Sequence, residues 1–210
     1  MAEIEIKTKD DNITLDEVNA VIEKSFTVAM KQEKMEFATV KFDKKEFQKL
    51  TEEAKLTCFV AMDGNKVVGT MTYTLVDWKR WYQNGKAPKL RYMAVLPEYS
   101  GRHIATNLAE AVKLYAQDQG YNLLFLSTPS KNKIAQKMYK KLGFSKLRYK
   151  IVSGHGVIEM GYWKNGCPYS EAKVKHEYFR SVLITFPLVQ YISKIKLKFK
   201  RLIGGDKGGN

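Results

Sequence analysis

Between residues 104 and 127 the chain changes its hydrophobic period, and this limits the fold more than any other feature. Ile104, Leu108, Ala111 or Val112, and Tyr115 recur three or four apart, so they share one face of a helix. Gly120 provides its stop. Residues 121–127 then form a nearly continuous apolar run, the pattern of a strand buried on both faces. A strand of that kind next to an amphipathic helix places the chain in the α/β class, as mixed α/β around one sheet.

The flanking segments extend the pattern. Residues 2–9 alternate through Ile4 and Ile6 as a short strand. Thr14 and Glu17 form a capping box, opening a helix with Val18, Val21, Ile22, Ser25 and Phe26 on one face. A second capping signal, Asp43 with Glu46, opens a helix through Phe47 and Leu50. Residues 57–62 and 66–75 are β-rich and joined by Asp63, Gly64 and Asn65, a hairpin signal. Residues 77–88 (DWKRWYQNGKAP) are expected to be a polar-aromatic loop. Residues 90–96 are a third β-rich run ended by Pro97, which cannot donate to a ladder. Residues 132–142 read as a short helix ended by Gly143. Residues 146–152 and 157–163 are β-like, around a turn at 153–156. No internal repeat is present.

The 210 residues suffice for one full domain plus an appendage, expected as a domain over 1–167 and an appended helix and basic tail over 168–210. Cys58 and Cys167 are far apart and outside any CxxC, so no disulfide framework or zinc site is expected, and no metal. The reduced thiols, and a start without a cationic, apolar leader, lead to an expected cytoplasmic location. The longest apolar run, 182–192, is too short to span a bilayer. The net charge of +14 is uneven: residues 61–167 hold 17 basic and 6 acidic groups. That middle attracts anions. No nucleic-acid-binding motif accompanies the charge, so no nucleic acid partner is expected.

Residues 91–108 (RYMAVLPEYSGRHIATNL) give a strand, a proline, a short loop with Gly101, and a helix starting near Ile104. A helix N-terminus presents unpaired N–H groups and positive potential, a natural pyrophosphate site. Arg102 adds a charge-assisted contact. A dinucleotide-binding loop is disfavoured because GxGxxG is absent. Some 30 residues on, Asn132, Ala135 or Gln136, and Tyr139 recur at helical spacing, and small Ala135 lets a ligand approach.

These two segments resemble the cofactor motifs of GNAT-type N-acetyltransferases. Val95 and Pro97 fit the strand end, and Ser100, Gly101, Arg102, His103, Ile104 and Ala105 occupy the loop. Asn132, Ala135, Tyr139, Gly143 and Phe144 match the second motif position by position. Ser100 departs from the usual Arg or Gln, and His103 stands where glycine is usual. The resemblance covers about residues 4–163, with its specific motifs in 91–144.

The resemblance implies a central, mostly antiparallel, splayed sheet flanked by helices. It implies acetyl-CoA as cosubstrate, held by main-chain amides from Ser100 to Thr106 (Ser100, Gly101, Arg102, His103, Ile104, Ala105, Thr106) and by Asn132 and Ala135. It implies direct attack of a primary amine on the thioester, an oxyanion held by backbone N–H groups near Met93, Ala94 and Val95, and Tyr139 as general acid. Candidates for the general base are Glu98, Asp77, Glu36, His155 and Glu159; His103, close to the phosphates, is not one. Trp78, Trp81 and Tyr82 stand as pocket-lining candidates beside the simpler reading that they pack. The amine and the acyl length stay open. Transfer of a longer chain from acyl-CoA or an acyl carrier protein, and a catalytically degenerate CoA-binding regulator, are the alternatives.

In the appendage, Val174, Tyr178, Val182 or Leu183, and Phe186 lie at helical spacing up to Pro187. Residues 194–201 alternate lysine with Ile195, Leu197 and Phe199. Docking on the domain or a homodimer contact, an anionic membrane surface, and an acidic carrier protein are the three readings of this tail. Residues 204–210 are expected to be disordered.

Overall fold

The computed structural model describes residues 3–32, 44–53, 55–152 and 155–185. In chain order the elements are β1 (Ile4–Thr8), α1 (Leu15–Gln32), α2 (Lys44–Glu52), β2 (Leu56–Asp63), β3 (Lys66–Arg80) and β4 (Gln83–Val95). They continue with α3 (Ile104–Asp118), β5 (Leu123–Pro129), α4 (Lys133–Lys141), β6 (Ser145–Val152), β7 (His155–Trp163) and α5 (Glu171–Thr185). A single 3₁₀ turn, Pro97–Tyr99, separates β4 from α3. The seven strands form one sheet in the order β1-β2-β3-β4-β5-β7-β6. Every neighbouring pair is antiparallel except β4 and β5, which run parallel.

Local chemistry sets these elements. The Thr14 hydroxyl accepts from the Glu17 amide at 3.2 Å, and the Glu17 carboxylate accepts from the Thr14 amide at 2.8 Å, so the capping box forms reciprocally. Val18, Val21 and Ile22 are buried on the inner face of α1, with Ser25 and Phe26 half-buried behind them. Phe47 is buried beneath α2. On α3 the buried set is Ile104, Leu108, Ala109, Val112 and Ala116. Leu123, Leu124, Phe125 and Leu126 of β5 are all buried, as a strand covered on both faces requires.

The two faces of the sheet are distinguishable. Ile104 and Leu108 of α3 lie against Gly69, and Tyr115 packs on Phe59 and Tyr73. Side chains alternate along a strand, so Thr70, Thr72, Thr74, Trp78 and Arg80 of β3 point to the opposite face. Residues in register share a face. Lys89 opposes Thr74 and Phe125, Arg91 opposes Thr72, and Glu159 opposes Ser127 and Arg148. The α2 helix covers part of this second face, where Glu46 accepts from Arg91 at 3.3 Å.

The stretch 77–88 is not a loop. Strands β3 and β4 form one long hairpin with Arg80 opposite Gln83, turning at Trp81 and Tyr82. The reason is tertiary. Trp78 packs on Phe125 with centroids 4.3 Å apart, Trp81 packs on Tyr169 at 5.1 Å, and Tyr82 joins a buried cluster with Leu123, Leu147, Trp163 and Val174. Those partners come from β5, β6, β7 and α5, so a window over 77–88 contains none of them.

Helix α5 lies against β6, where Ser181 accepts from the Tyr149 amide at 2.8 Å and Val174 is buried. Phe179, Leu183 and Ile184 are exposed on it. The tail residues from Phe186 onward, including Pro187, the 194–201 alternation and 204–210, lie outside the described residues, as do Glu36 and Asp43. No described helix is long and apolar enough to cross a membrane.

Gly69 sets how closely α3 approaches β3. A Cβ there would sit 3.0 Å from Ile104 Cγ2 and 3.2 Å from Leu108 Cδ1. Gly69→Val is therefore expected to lift the first turns of α3 and to destabilise the fold by about 1–3 kcal/mol, measured by urea denaturation.

Candidate active site

The site starts from a failure of strand pairing. β4 and β5 pair at two rungs, Lys89 with Phe125 and Leu90 with Leu126. Both strands continue, to Val95 and Pro129. Because they are parallel, they diverge toward the same end of the sheet. Residues 91–95, which include Met93, Ala94 and Val95, thus border a gap on the β5 side. The bend has a local cause. Thr70 opposes Ala94 while Thr72 opposes Arg91, so Tyr92 and Met93 together face Met71. The extra residue is a β-bulge, which bends and twists its strand. Tyr92 takes the left-handed conformation there, with φ 51°. For a bulky residue this costs about 1–2 kcal/mol, and strain of this sort gathers at functional sites.

The loop after β4 is strained as well. Gly101 has φ 81°, and His103 has φ 59° and ψ 10°. His103 therefore holds the left-handed conformation that glycine would adopt freely, and it is the N-cap of α3 without a capping side-chain bond. The Ser100 amide bonds back to Pro97, and the Asn107 amide is the next to find a carbonyl, that of His103 at 3.0 Å. Among the described residues, the six amides from Gly101 to Thr106 donate to no main-chain carbonyl. The α3 dipole reinforces their positive end. Arg102 stacks on Tyr99, its guanidinium carbon 5.1 Å from the ring centre, and Lys66 lies over the same ring.

The second motif begins at the same end, because α4 comes directly after β5. Asn132 caps α4, accepting from the Ala135 amide at 2.9 Å. Its side-chain oxygen is engaged on its own helix, which leaves the NH₂ for a ligand. Gln136, to which the motif assigns no role, donates to the Pro129 and Ser130 carbonyls at 3.1 and 3.0 Å and pins the β5–α4 turn. Ala135 and Tyr139 are buried. Tyr139 packs on Phe144 with centroids 5.6 Å apart, and burial pushes its phenol up. The group stays protonated at working pH, and its gap to a thiol widens instead of closing.

On the face opposite α3, beside the last β4–β5 rungs, lies a charged cluster. Glu159 is completely buried. It accepts from the Tyr82 hydroxyl at 3.0 Å and pairs with Lys150 at 2.7 Å. Tyr82 in turn accepts from Trp78 Nε1 at 3.0 Å. Burial, then the Glu159 carboxylate, pushes the Tyr82 phenol up. The Trp78 ring has three cations near it: Arg80 at 4.5 Å, Lys89 at 5.6 Å and Lys150 at 5.9 Å. Burial, and after it Arg91 and Lys150, lowers the Lys89 ammonium to about 8.

The general-base candidates separate by position. Glu98 sits on the outer surface with Lys24 and Lys66, its carboxyl held low. Asp77 is exposed on the hairpin opposite Lys86. His155 begins β7. Of the described candidates, Glu159 alone is buried next to the gap. Reading 77–88 as a loop hides the roles of Arg80, Tyr82, Lys89 and Lys150, which meet only once the hairpin is in place. The excess positive charge of 61–167 is visible in the sequence, but not where it converges.

The comparisons with known proteins agree with this geometry. A sequence model of the acetyltransferase (GNAT) family matches residues 23–144. No curated protein sequence matches the chain. Among solved structures, an acetyltransferase from Streptococcus agalactiae superposes with a TM-score of 0.59 at 19% identity, covering 76% of this chain and 98% of that one. A predicted acetyltransferase from Clostridium acetobutylicum, crystallised with acetyl-CoA, gives 0.53 at 19% identity, covering 68% and 90%. The ribosomal-protein-S18-alanine N-acetyltransferase from Escherichia coli gives 0.57 at 18% identity, covering 77% and 94%. The chain belongs to the acetyltransferase (GNAT) family.

Lys89 yields a stability prediction. Its ammonium titrates at about 8 when folded, below the ordinary 10.5. Below pH 8 both folded and unfolded chains are charged, so the cost of burying the charge is felt in full. Between 8 and 10.5 only the unfolded chain keeps the proton, and above that neither does. Lys89→Met is therefore expected to be more stable than the wild type at pH 7 by about 2–3 kcal/mol. The difference should shrink as pH rises from 8 to 10.5, as followed by paired denaturation curves.

Proposed function

We propose that this chain transfers an acetyl group from acetyl-CoA to a primary amine by direct attack. One observation carries the proposal: six consecutive unpaired amides, Gly101 to Thr106, stand at the helix N-terminus where β4 and β5 part. Unpaired amides at a positive dipole end fit the diphosphate of coenzyme A. The gap fits its extended pantetheine arm, which main-chain groups of residues 91–95 can bond as a strand would. The NH₂ of Asn132 adds a donor at the same end.

In this reading the amine nitrogen forms a bond to the thioester carbonyl carbon and the C–S bond breaks. The oxyanion formed meanwhile is held by N–H groups near Met93 to Val95, each such donor contributing roughly 3 kcal/mol. The amine loses a proton to Glu159, directly or through water. Tyr139, kept protonated by burial, donates to the departing sulfur. Proton transfer from so weak an acid is uphill, so its main effect is to stabilise the thiolate by a hydrogen bond.

Titration calorimetry with acetyl-CoA, then thiol release over an amine panel, tests this reading. Binding with amine-dependent thiol release is expected; an acetyl-CoA titration without heat contradicts it. Tyr139→Phe should lower kcat about 10²-fold or more while acetyl-CoA affinity stays within a few-fold. A Tyr139→Phe enzyme with full turnover would remove Tyr139 from the mechanism.

A further inference from the structure

The charged cluster around Trp78 is not balanced. Arg80, Lys89 and Lys150 all approach one indole ring, and Glu159 is the buried carboxylate among them. One Glu159 oxygen accepts from the Tyr82 hydroxyl; the other lies 2.7 Å from the Lys150 ammonium but has no hydrogen-bond partner among the described residues. Arg91, next along this face of β4, is taken by Glu46. Among the described residues, Arg80 and Lys89 have no carboxylate within ion-pair distance. Like charges gathered in a half-buried site repel one another, and each lacks full hydration.

A second, independent observation points the same way. Among the described residues, four buried polar atoms on or beside this face have no hydrogen-bond partner: Thr74 Oγ1, Ser127 Oγ, Arg80 Nε and Glu159 Oε1. Thr74 shares a rung with Lys89, and Ser127 shares one with Glu159. Buried polar groups are rarely left unpaired, because the hydrogen bonds lost to water are then not replaced. Thr74, Ser127 and Arg80 can donate, and with Lys89 beside them they call for an acceptor with negative charge. Glu159 Oε1 calls for a donor instead, which the amine end of the same molecule supplies.

We infer that this face is the acceptor subsite and that it takes an amine also bearing an anionic group, a carboxylate or a phosphate ester, close to the nucleophilic nitrogen. The inference rests on the acetyl-transfer reading above, since it is the gap at Leu90 and Leu126 that brings a thioester to this face. Lys89 and Arg80 hold the anion, with Thr74 and Ser127 as neutral donors. Trp78 forms the apolar wall beneath them. Glu159 is left to hold or deprotonate the amine at the other end of the acceptor. Burial and neighbouring cations depress Lys89 to about 8, and an anion beside it would relieve that depression. Diamines and polyamines, which bring more positive charge, fit the face poorly.

The experiment uses the full chain and matched acceptors with acetyl-CoA, read by thiol release. The pairs are glycine with glycinamide, 3-aminopropanoate with 3-aminopropanamide, and phosphoethanolamine with ethanolamine; putrescine is the cationic control. The anionic member of at least one pair is expected to win by roughly tenfold or more in kcat/KM, the worth of one charged hydrogen bond. In Lys89→Met that ratio should fall to within about threefold, while calorimetry shows the same acetyl-CoA affinity. The carboxylate and phosphate arms tell which anion is meant. Neutral or cationic amines used as well as the anionic ones, no turnover of any member, or a preference that survives Lys89→Met would each overturn the inference. These outcomes leave acetyl-CoA binding intact. Loss of acetyl-CoA binding in the wild type instead overturns the cofactor reading on which the inference stands.

Discussion

The structure depends on β4 having a hydrogen-bonded neighbour on one side but not, beyond Leu90, on the other. Main-chain groups at the centre of a sheet are ordinarily satisfied by the next strand. Here the bulge at Tyr92 and Met93 bends β4 away after two rungs with β5. The neighbouring elements are arranged around that opening. The 3₁₀ turn at Pro97–Tyr99 and the left-handed residues Gly101 and His103 swing the chain into α3 with its first amides facing outward. Gly69 lets α3 rest directly on β3, which fixes where those amides lie. On the other side of the gap, Gln136 and the Asn132 cap fix the start of α4.

The two faces of the sheet then divide the work. The face with α3 carries the main apolar core, through Leu108, Val112, Tyr73 and Phe59. The opposite face carries charge and aromatic rings near the opening. Lys89 and Glu159 are poor choices for stability alone, since burying either costs free energy. Lys89 stands on one of the two β4–β5 rungs, and Glu159 lies opposite Ser127, one residue beyond them, beside the Thr74 and Ser127 hydroxyls that have no partner among the described residues.

Much of this is legible in the sequence, and the reason is local. The capping box at Thr14 and Glu17, the hairpin at Gly64, the period of α3 and the apolar run of β5 depend on neighbours a few residues away. The motif from Asn132 to Phe144 is local in the same way, and its Asn does cap a helix. The long β3–β4 hairpin is not legible, because Trp78, Trp81 and Tyr82 find their partners at Phe125, Tyr169, Leu123 and Trp163. The charged cluster is hidden for the same reason: Arg80, Lys89, Lys150 and Glu159 meet only through strand register. Whether His103 tolerates positive φ is an open question in the sequence. The structure answers it, and the amides remain in place with histidine there.

Backbone amide hydrogen exchange, read residue by residue with and without saturating acetyl-CoA, tests the central claim most directly. Amides left unpaired between Gly101 and Thr106 exchange quickly in the free protein and should become strongly protected when a diphosphate occupies them. Protection confined to other segments, with exchange from Gly101 to Thr106 unchanged despite bound cofactor, would contradict the account.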